Sequence, residues 1–398
     1  MKTEEYIKLE EQYGAHNYHP LDVVVAKAEG AWVWDVEGRK YMDCLAAYSA
    51  VNQGHCHPEI LKVFIEQAHK VTLTSRAFRN DKLPLLYKKL HDMTGYGMSL
   101  PMNSGAEAVE TAIKTSRRWG YDVKGIPENQ AEIIVADGNF HGRTTTIVGF
   151  STDPSSYKGF GPYTPGFKVA KYGDIDDMKS LVTPNTCAVL IEPIQGEGGI
   201  VIPPDGYLKQ VAELCKANNV LFVCDEIQSG LGRSGKLFAH YYEGVRPDIV
   251  IIGKALAGGY YPVSAILADK EILGVIKPGE HGSTFGGNPL GAAIAVKALE
   301  VIEEEKLVER SFELGKYFVE KLRAIKNNHI QLVRGRGLWI GFVLDTKARP
   351  YCERLKEEGI LCKETHENII RFAPPLVITK EEIDWACEKI EKVLNEVG

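Results

Sequence analysis

The sequence predicts an α/β protein. A large unit is built on a mostly parallel sheet covered by helices on both faces, and a smaller α+β unit follows it. Two observations carry this. "AEIIVADG", "CAVLIEP", "VLFVCDE" and "DIVIIGK" are short Val/Ile/Leu-rich runs with helical segments between most of them. Continuous apolar strands joined by helices belong to parallel sheets buried on both faces. From about residue 291 the chain changes character: "AAIAVKALEVIEEEKLVERSFELGKYFVEKLRAI" is long, charged and helical, its charges marking solvated faces, and "IIRFAPPL" then reads as a strand. The expected division is an N-terminal segment 1–48, a large domain 49–294 and a small C-terminal domain 295–398.

The elements follow in order. "MKTEEYIKLE" is charged and mixed in sign, so it fits neither a secretory signal nor a presequence, and a cytoplasmic protein is expected. "AWVWDVEGRKYMDCL" (31–45) has Glu37 and Gly38 between alternating stretches and reads as a hairpin. "GHCHPE" crowds His55, Cys56 and His57, but no second cluster completes a metal site, so it reads as a turn into the helix "PEILKVFIEQAHK". "SGAEAVETAIKTSRRWG" is helical, with Val109, Ala112, Ile113 and Ser116 on one face.

Of 398 residues 44% are hydrophobic and 25% charged, an ordinary globular balance. The net charge of −6, with no long basic block, gives no sign of nucleic-acid binding, and no apolar run reaches membrane-spanning length. None of the eight cysteines makes a C-x-x-C pair; they read as small core residues in a reducing compartment.

In open α/β sheets ligands bind at the carboxyl ends of the strands. That rim collects Glu192, Gln195, Glu197, Asp225, Glu226, Gln228 and Lys254. A buried Lys–Asp pair stabilises little after desolvation, whereas a lysine whose burial favours the neutral amine suits covalent chemistry on a carbonyl. Gly253, Gly258 and Gly259 around Lys254 would let a planar ligand approach. Pyridoxal 5'-phosphate needs a lysine for its aldehyde, a carboxylate for its pyridinium nitrogen and a phosphate cradle. Lys254 and Asp225 meet the first two needs. "NSGAEA" offers the third at a helix start, Ser104, Gly105 and Ala106, although Ser104-x-x-Glu107 is also a sufficient capping box. In "GNFHGRTT", Phe140 is either a core residue or the face on which the ring stacks, and His141 has no assigned task.

These residues together resemble the class III branch of fold-type I pyridoxal-phosphate aminotransferases, and within it the members acting on ornithine. The likeness runs through "YGAHNYHPL", "YSAVNQGHCHPE", "LTSRAF", "GNFHGRTT", "GFGPYTPGF", "EPIQGEGG", "DEIQSGLGRSG", "GKALAGG", "HGSTFGGNP" and "IIRFAPPLVI". It implies that Lys254 bonds the cofactor aldehyde and then shuttles protons, that Asp225 pairs with the pyridinium, that Gln228 lies near the phenolic oxygen and that Phe140 stacks on the ring. It implies that Ser104, Gly105 and Ala106 hold the phosphate, while Ser283 and Thr284 reach the phosphate of a neighbouring subunit, hence a homodimer with shared active sites. For substrates it implies Glu197 masking Arg371, Tyr18 and Arg143 taking the carboxylate of ornithine, both arginines binding 2-oxoglutarate, and Tyr48 in the same pocket. His141 and Ala106 stand where some relatives carry Trp and Val. The rival readings are another ω-aminotransferase, acting on acetylornithine, 4-aminobutyrate or lysine, and a pyridoxal-phosphate-binding protein without transferase activity. A nicotinamide oxidoreductase would need G-x-G-x-x-G between strand and helix, which "GRGLWIG" lacks.

Overall fold

Runs of β-branched and apolar residues become the strands of three sheets. The computed structural model of the chain describes residues 1–397. Near the N-terminus β1 (Val25–Glu29), β2 (Trp32–Asp35) and β3 (Lys40–Asp43) form an antiparallel meander. The Asp35 carboxylate accepts from the Glu37 and Arg39 amides at 2.9 and 2.8 Å, which closes the hairpin expected at 31–45.

The central sheet contains β4 (Met98–Met102), β5 (Glu132–Ala136), β6 (Phe167–Ala170), β7 (Thr186–Ile191), β8 (Leu221–Asp225), β9 (Ile249–Ile252) and β10 (Ser264–Ala268). Its order is β4-β10-β9-β8-β7-β5-β6, and only β10 runs antiparallel to its neighbours. Every residue of β7, β8 and β9 is buried, which is why these strands read as unbroken apolar runs. Because they are parallel, Glu192, Asp225 and Lys254, at or just beyond their carboxyl ends, come out at one rim.

The small unit holds β11 (Ile330–Gly335), β12 (Ile340–Leu344), β13 (Ile360–Leu361), β14 (Lys363–Thr365) and β15 (Ile369–Phe372). Four of these form an antiparallel sheet in the order β11-β12-β15-β14, while β13 pairs parallel with β3 and ties the N-terminal meander to the C-terminal unit. "GRGLWIG" falls in the β11–β12 hairpin.

The charged stretch after residue 291 is two helices, Pro289–Glu304 and Leu307–Ala324, broken where Lys306 turns left-handed at φ 52°. In the first, the charges mark a solvated side as expected, with Glu303 and Glu304 exposed, while its apolar side is core: Ala295, Ala298, Leu299 and Ile302 are buried. The expected boundary at 294/295 falls inside it, because its apolar side continues past that point. Seven cysteines are buried, but Cys56 is exposed. Its neighbours His55 and His57 hold carboxylates, Asp43 at 2.7 Å and Glu305 at 2.8 Å. Among the described residues no helix is long and apolar enough to cross a membrane.

Candidate active site

Lys254 follows β9 by two residues and sits at φ 45°, a left-handed conformation that non-glycine residues seldom adopt. Its amine lies 6.0 Å from the centre of the Tyr48 ring. Burial lowers the ammonium to about 8 and the Arg371 charge works the same way, while Glu197, Asp225 and Glu192 pull it back up. A lysine so placed reaches its neutral, nucleophilic form far more readily than a surface one.

Asp225 ends β8, buried at 4% exposure. One carboxylate oxygen accepts from the Ile227 amide at 3.1 Å and the other bonds His141 Nδ1 at 2.7 Å. His141, given no task by the sequence, is thus the partner of the central carboxylate. Burial opposes the imidazolium, but the hydrogen bond to Asp225, its charge and that of Glu192 outweigh burial and raise the pKa of the ring. Glu192 is a second residue whose role sequence reasoning missed. It accepts the Phe140 and Gly196 amides at 3.0 and 3.2 Å, and burial pushes its carboxyl up to about 7 against the pull of His141. The available signal was its place one residue past a wholly buried strand.

The helix Gly105–Trp119 opens at Ser104, whose hydroxyl accepts from the Glu107 amide at 3.2 Å while Glu107 accepts from the Ser104 amide at 2.6 Å. The capping box is real, and the first-turn amides of Gly105 and Ala106 border a cavity of about 190 Å³. Phe140, His141, Asp225, Gln228 and Lys254 line the same cavity. Gly142 closes it at φ 128°, where a Cβ would come within 2.9 Å of the Ala106 Cβ. Gly258 and Gly259 do not serve the cavity as expected: a Cβ there would strike Ile60 at 2.7 Å and Val51 at 2.4 Å, so these glycines permit packing rather than ligand approach.

At the edge of this cavity Arg371, 1% exposed, donates to Glu197 at 2.7 Å and to the Gln228 carbonyl oxygen at 3.0 Å. The Gln228 amide nitrogen donates back to Glu197 at 3.3 Å. Burial raises the Glu197 pKa, but the charge and hydrogen bond of Arg371 outweigh it and leave the carboxyl below its ordinary value. Tyr48 lies over this pair, its ring centre 5.2 Å from the guanidinium carbon. It is carried by one left-handed turn, Ala46–Ser49, with φ between 47° and 71°, whose entrance is held by Asp43 accepting the Leu45 and Ala46 amides at 2.8 and 2.9 Å.

Other expected residues lie further out. Tyr18, 72% exposed, shares with Tyr48 an adjoining, mainly apolar cavity of about 480 Å³. Arg143 is exposed, its guanidinium 5.5 Å from the centre of the Phe140 ring. Ser283 accepts from the Asn103 side chain at 3.0 Å, beside the cradle of its own chain, and Thr284 is exposed.

Residues 13–394 match the family described as aminotransferase class-III. The chain belongs to the class-III aminotransferases. An ornithine aminotransferase from Brevibacillus brevis is 62% identical over 394 residues, 99% of each chain. The solved structure of the Toxoplasma gondii ornithine aminotransferase superposes with a TM-score of 0.98 at 44% identity, over 100% of this chain and 95% of that one, and has PLP at partial occupancy in its active site. An acetylornithine aminotransferase from Elizabethkingia anophelis is 50% identical with a TM-score of 0.91, over 100% of both chains.

As a class-III aminotransferase the protein is a fold-type I, pyridoxal-phosphate-dependent transaminase. Its residues fit the cofactor. A helix N-terminus with free amides suits a phosphate. The buried Asp225 suits a pyridinium, and a lysine lowered to about 8 suits an aldehyde. The space a Cβ at Gly142 would close lies against this cradle.

Proposed function

We propose that this chain is an L-ornithine δ-aminotransferase. It would move the δ-amino group of ornithine to 2-oxoglutarate by a ping-pong mechanism, giving glutamate 5-semialdehyde and glutamate. The single observation that carries the reading is the Glu197–Arg371 pair at 2.7 Å. A bidentate arginine is the natural seat of an α-carboxylate. With Glu197 covering it, an amino acid cannot dock its α-carboxylate next to the reacting centre. Ornithine must then present its δ-amine, while the exposed Arg143 and Tyr18 receive its carboxylate at the far end. For 2-oxoglutarate, Glu197 swings aside and both arginines are used.

Lys254 and Asp225 perform the remaining work. Pyridoxal phosphate, held by Ser104, Gly105, Ala106, Phe140 and Gln228, supplies an electron sink for deprotonation of the amine-bearing carbon. The Lys254 amine takes and returns that proton. Asp225, oriented by His141, keeps a positive charge favourable opposite its carboxylate. We further infer a homodimer in which Ser283 and Thr284 reach the cofactor phosphate of the other subunit; the exposed Thr284 and its neighbour Phe285, 47% exposed, support that reading.

The second reading, transfer from acetylornithine, is favoured by the 50% identical relative of that name. The experiment offers ornithine, N-acetylornithine and glutamate separately and follows single turnovers, with the cyclised semialdehyde trapped as product. Ornithine should react by its δ-amine. In Glu197→Ala the glutamate half-reaction should quicken or tighten and δ-selectivity should fall. An unchanged ornithine-to-glutamate ratio in the variant overturns the gate, and a strong preference for N-acetylornithine overturns the substrate.

A further inference from the structure

The Glu197 gate is fixed by more than its arginine. Thr365 donates its hydroxyl to the Glu197 carbonyl oxygen at 2.8 Å, a contact spanning 168 positions in the chain. We propose that Thr365 is a positioning residue for substrate selection, setting how firmly Glu197 covers Arg371. The proposal rests on the reading of Glu197 as the gate.

The backbone around Glu197 is pinned on both sides. From the large unit, Glu192 accepts the Gly196 amide at 3.2 Å, and Gln195 and Val201 exchange backbone bonds at 3.0 and 2.9 Å. From the small unit, Arg334 donates to the Gly199 and Gly198 carbonyls at 3.0 and 3.4 Å. Thr365 makes the contact to the main chain of Glu197 itself. With the loop held in this way, opening is a rotation of the Glu197 side chain about a stationary backbone, and the position of that pivot decides how well the carboxylate meets the guanidinium.

The pivot and the guanidinium come from one hairpin. β14 pairs with β15 so that Thr365 faces Ile369 and Lys363 faces Arg371. Three residues, His366, Glu367 and Asn368, join the paired Thr365 and Ile369, and the first two are left-handed, with φ of 47° and 62°; so short a loop fixes the register. One rigid piece therefore presents a hydroxyl to the backbone of Glu197 and a guanidinium to its side chain. Losing the hydroxyl frees the pivot and raises the fraction of molecules with Arg371 uncovered. Apparent affinity for a dicarboxylate scales with that fraction.

The test uses the holoenzyme and the variants Thr365→Val, Thr365→Ser, Glu197→Ala and Glu197→Ala/Thr365→Val. Single-turnover rates are measured with ornithine and with glutamate. Binding of glutarate, a dicarboxylate with no reacting carbonyl, is measured by calorimetry. In Thr365→Val the ornithine-to-glutamate rate ratio should fall about 2- to 10-fold, the worth of one neutral hydrogen bond, and glutarate should bind tighter by a similar factor. Thr365→Ser should restore both. On the Glu197→Ala background Thr365→Val should shift the ratio no further, since the two residues act on one gate. If Glu197→Ala changes the ratio while folded Thr365→Val does not, or changes both half-reactions alike, the Thr365 proposal is overturned and the gate stands. If Glu197→Ala leaves the ratio unchanged, the gate itself fails and the role of Thr365 fails with it.

Discussion

At the scale of single residues, Lys254 and His141 each carry a pH dependence. Lys254 is lowered to about 8, mainly by burial. Capture of pyridoxal phosphate needs the neutral amine, so uptake by cofactor-free protein should rise with pH through a midpoint near 8, not near the ~10.4 of a free lysine. Absorbance titrations across pH check this, and Lys254→Arg, whose guanidinium stays charged, should take up no cofactor that borohydride can fix to the chain. His141 stands behind Asp225 at 2.7 Å. The pKa of His141 is raised in the fold above its ordinary 6.5. The sign follows: the pair stabilises fully below that ordinary value and its contribution fades as pH rises through the raised one. His141→Asn should lower turnover about 10- to 100-fold near pH 6.5, the loss of a hydrogen bond to a charged group. Melting temperatures of the cofactor-free wild type and variant should converge as pH rises; curves that stay parallel would show that the pair does not carry the pH dependence.

At the scale of elements, the site is a set of termini. The ends of β7, β8 and β9, the start of Gly105–Trp119 and the left-handed turn Ala46–Ser49 each deliver one or two side chains. Some of the backbone here is unusual: Lys254, Tyr48 and Gly142 all have positive φ. Gly142→Ala should destabilise by about 1–3 kcal/mol, because φ of 128° is strained for any side chain and the new methyl meets Ala106. It should also weaken cofactor binding, since that contact lies at the cradle. Thermal unfolding without cofactor and a cofactor titration separate the two effects; normal values in both would show that the loop relaxes at no expense to the site.

At the scale of the whole molecule, Arg233 joins distant parts of the chain. It is wholly buried and donates to the Asn52 side-chain oxygen at 2.7 Å and to the carbonyls of Leu338 and Pro374 at 2.7 and 2.6 Å. Arg233→Met would leave these three acceptors buried without a donor and should cost about 3 kcal/mol or more in denaturant unfolding. Arg233→Lys should recover only part, because an ammonium cannot reproduce the planar fork. Equal stability of wild type and Arg233→Met would mean that the three acceptors find other donors.

The sequence by itself determined what depends on neighbours along the chain. Fully buried parallel strands announce themselves as apolar runs, and Asp225 and Lys254 mark where two of them end. The Ser104–Glu107 capping box, the 31–45 hairpin and the helix over 105–119 are likewise local. The tertiary structure alone decided contacts made across sequence distance. His141 meets Asp225 over 84 positions and Arg371 meets Glu197 over 174. The family resemblance supplied the second pairing; the first was invisible, because a histidine in a glycine-rich loop gives no sign of which buried carboxylate it will face. The helix Pro289–Glu304 shows the same limit: its periodicity separates a charged side from an apolar one, but which elements pack on the apolar side is settled only in three dimensions.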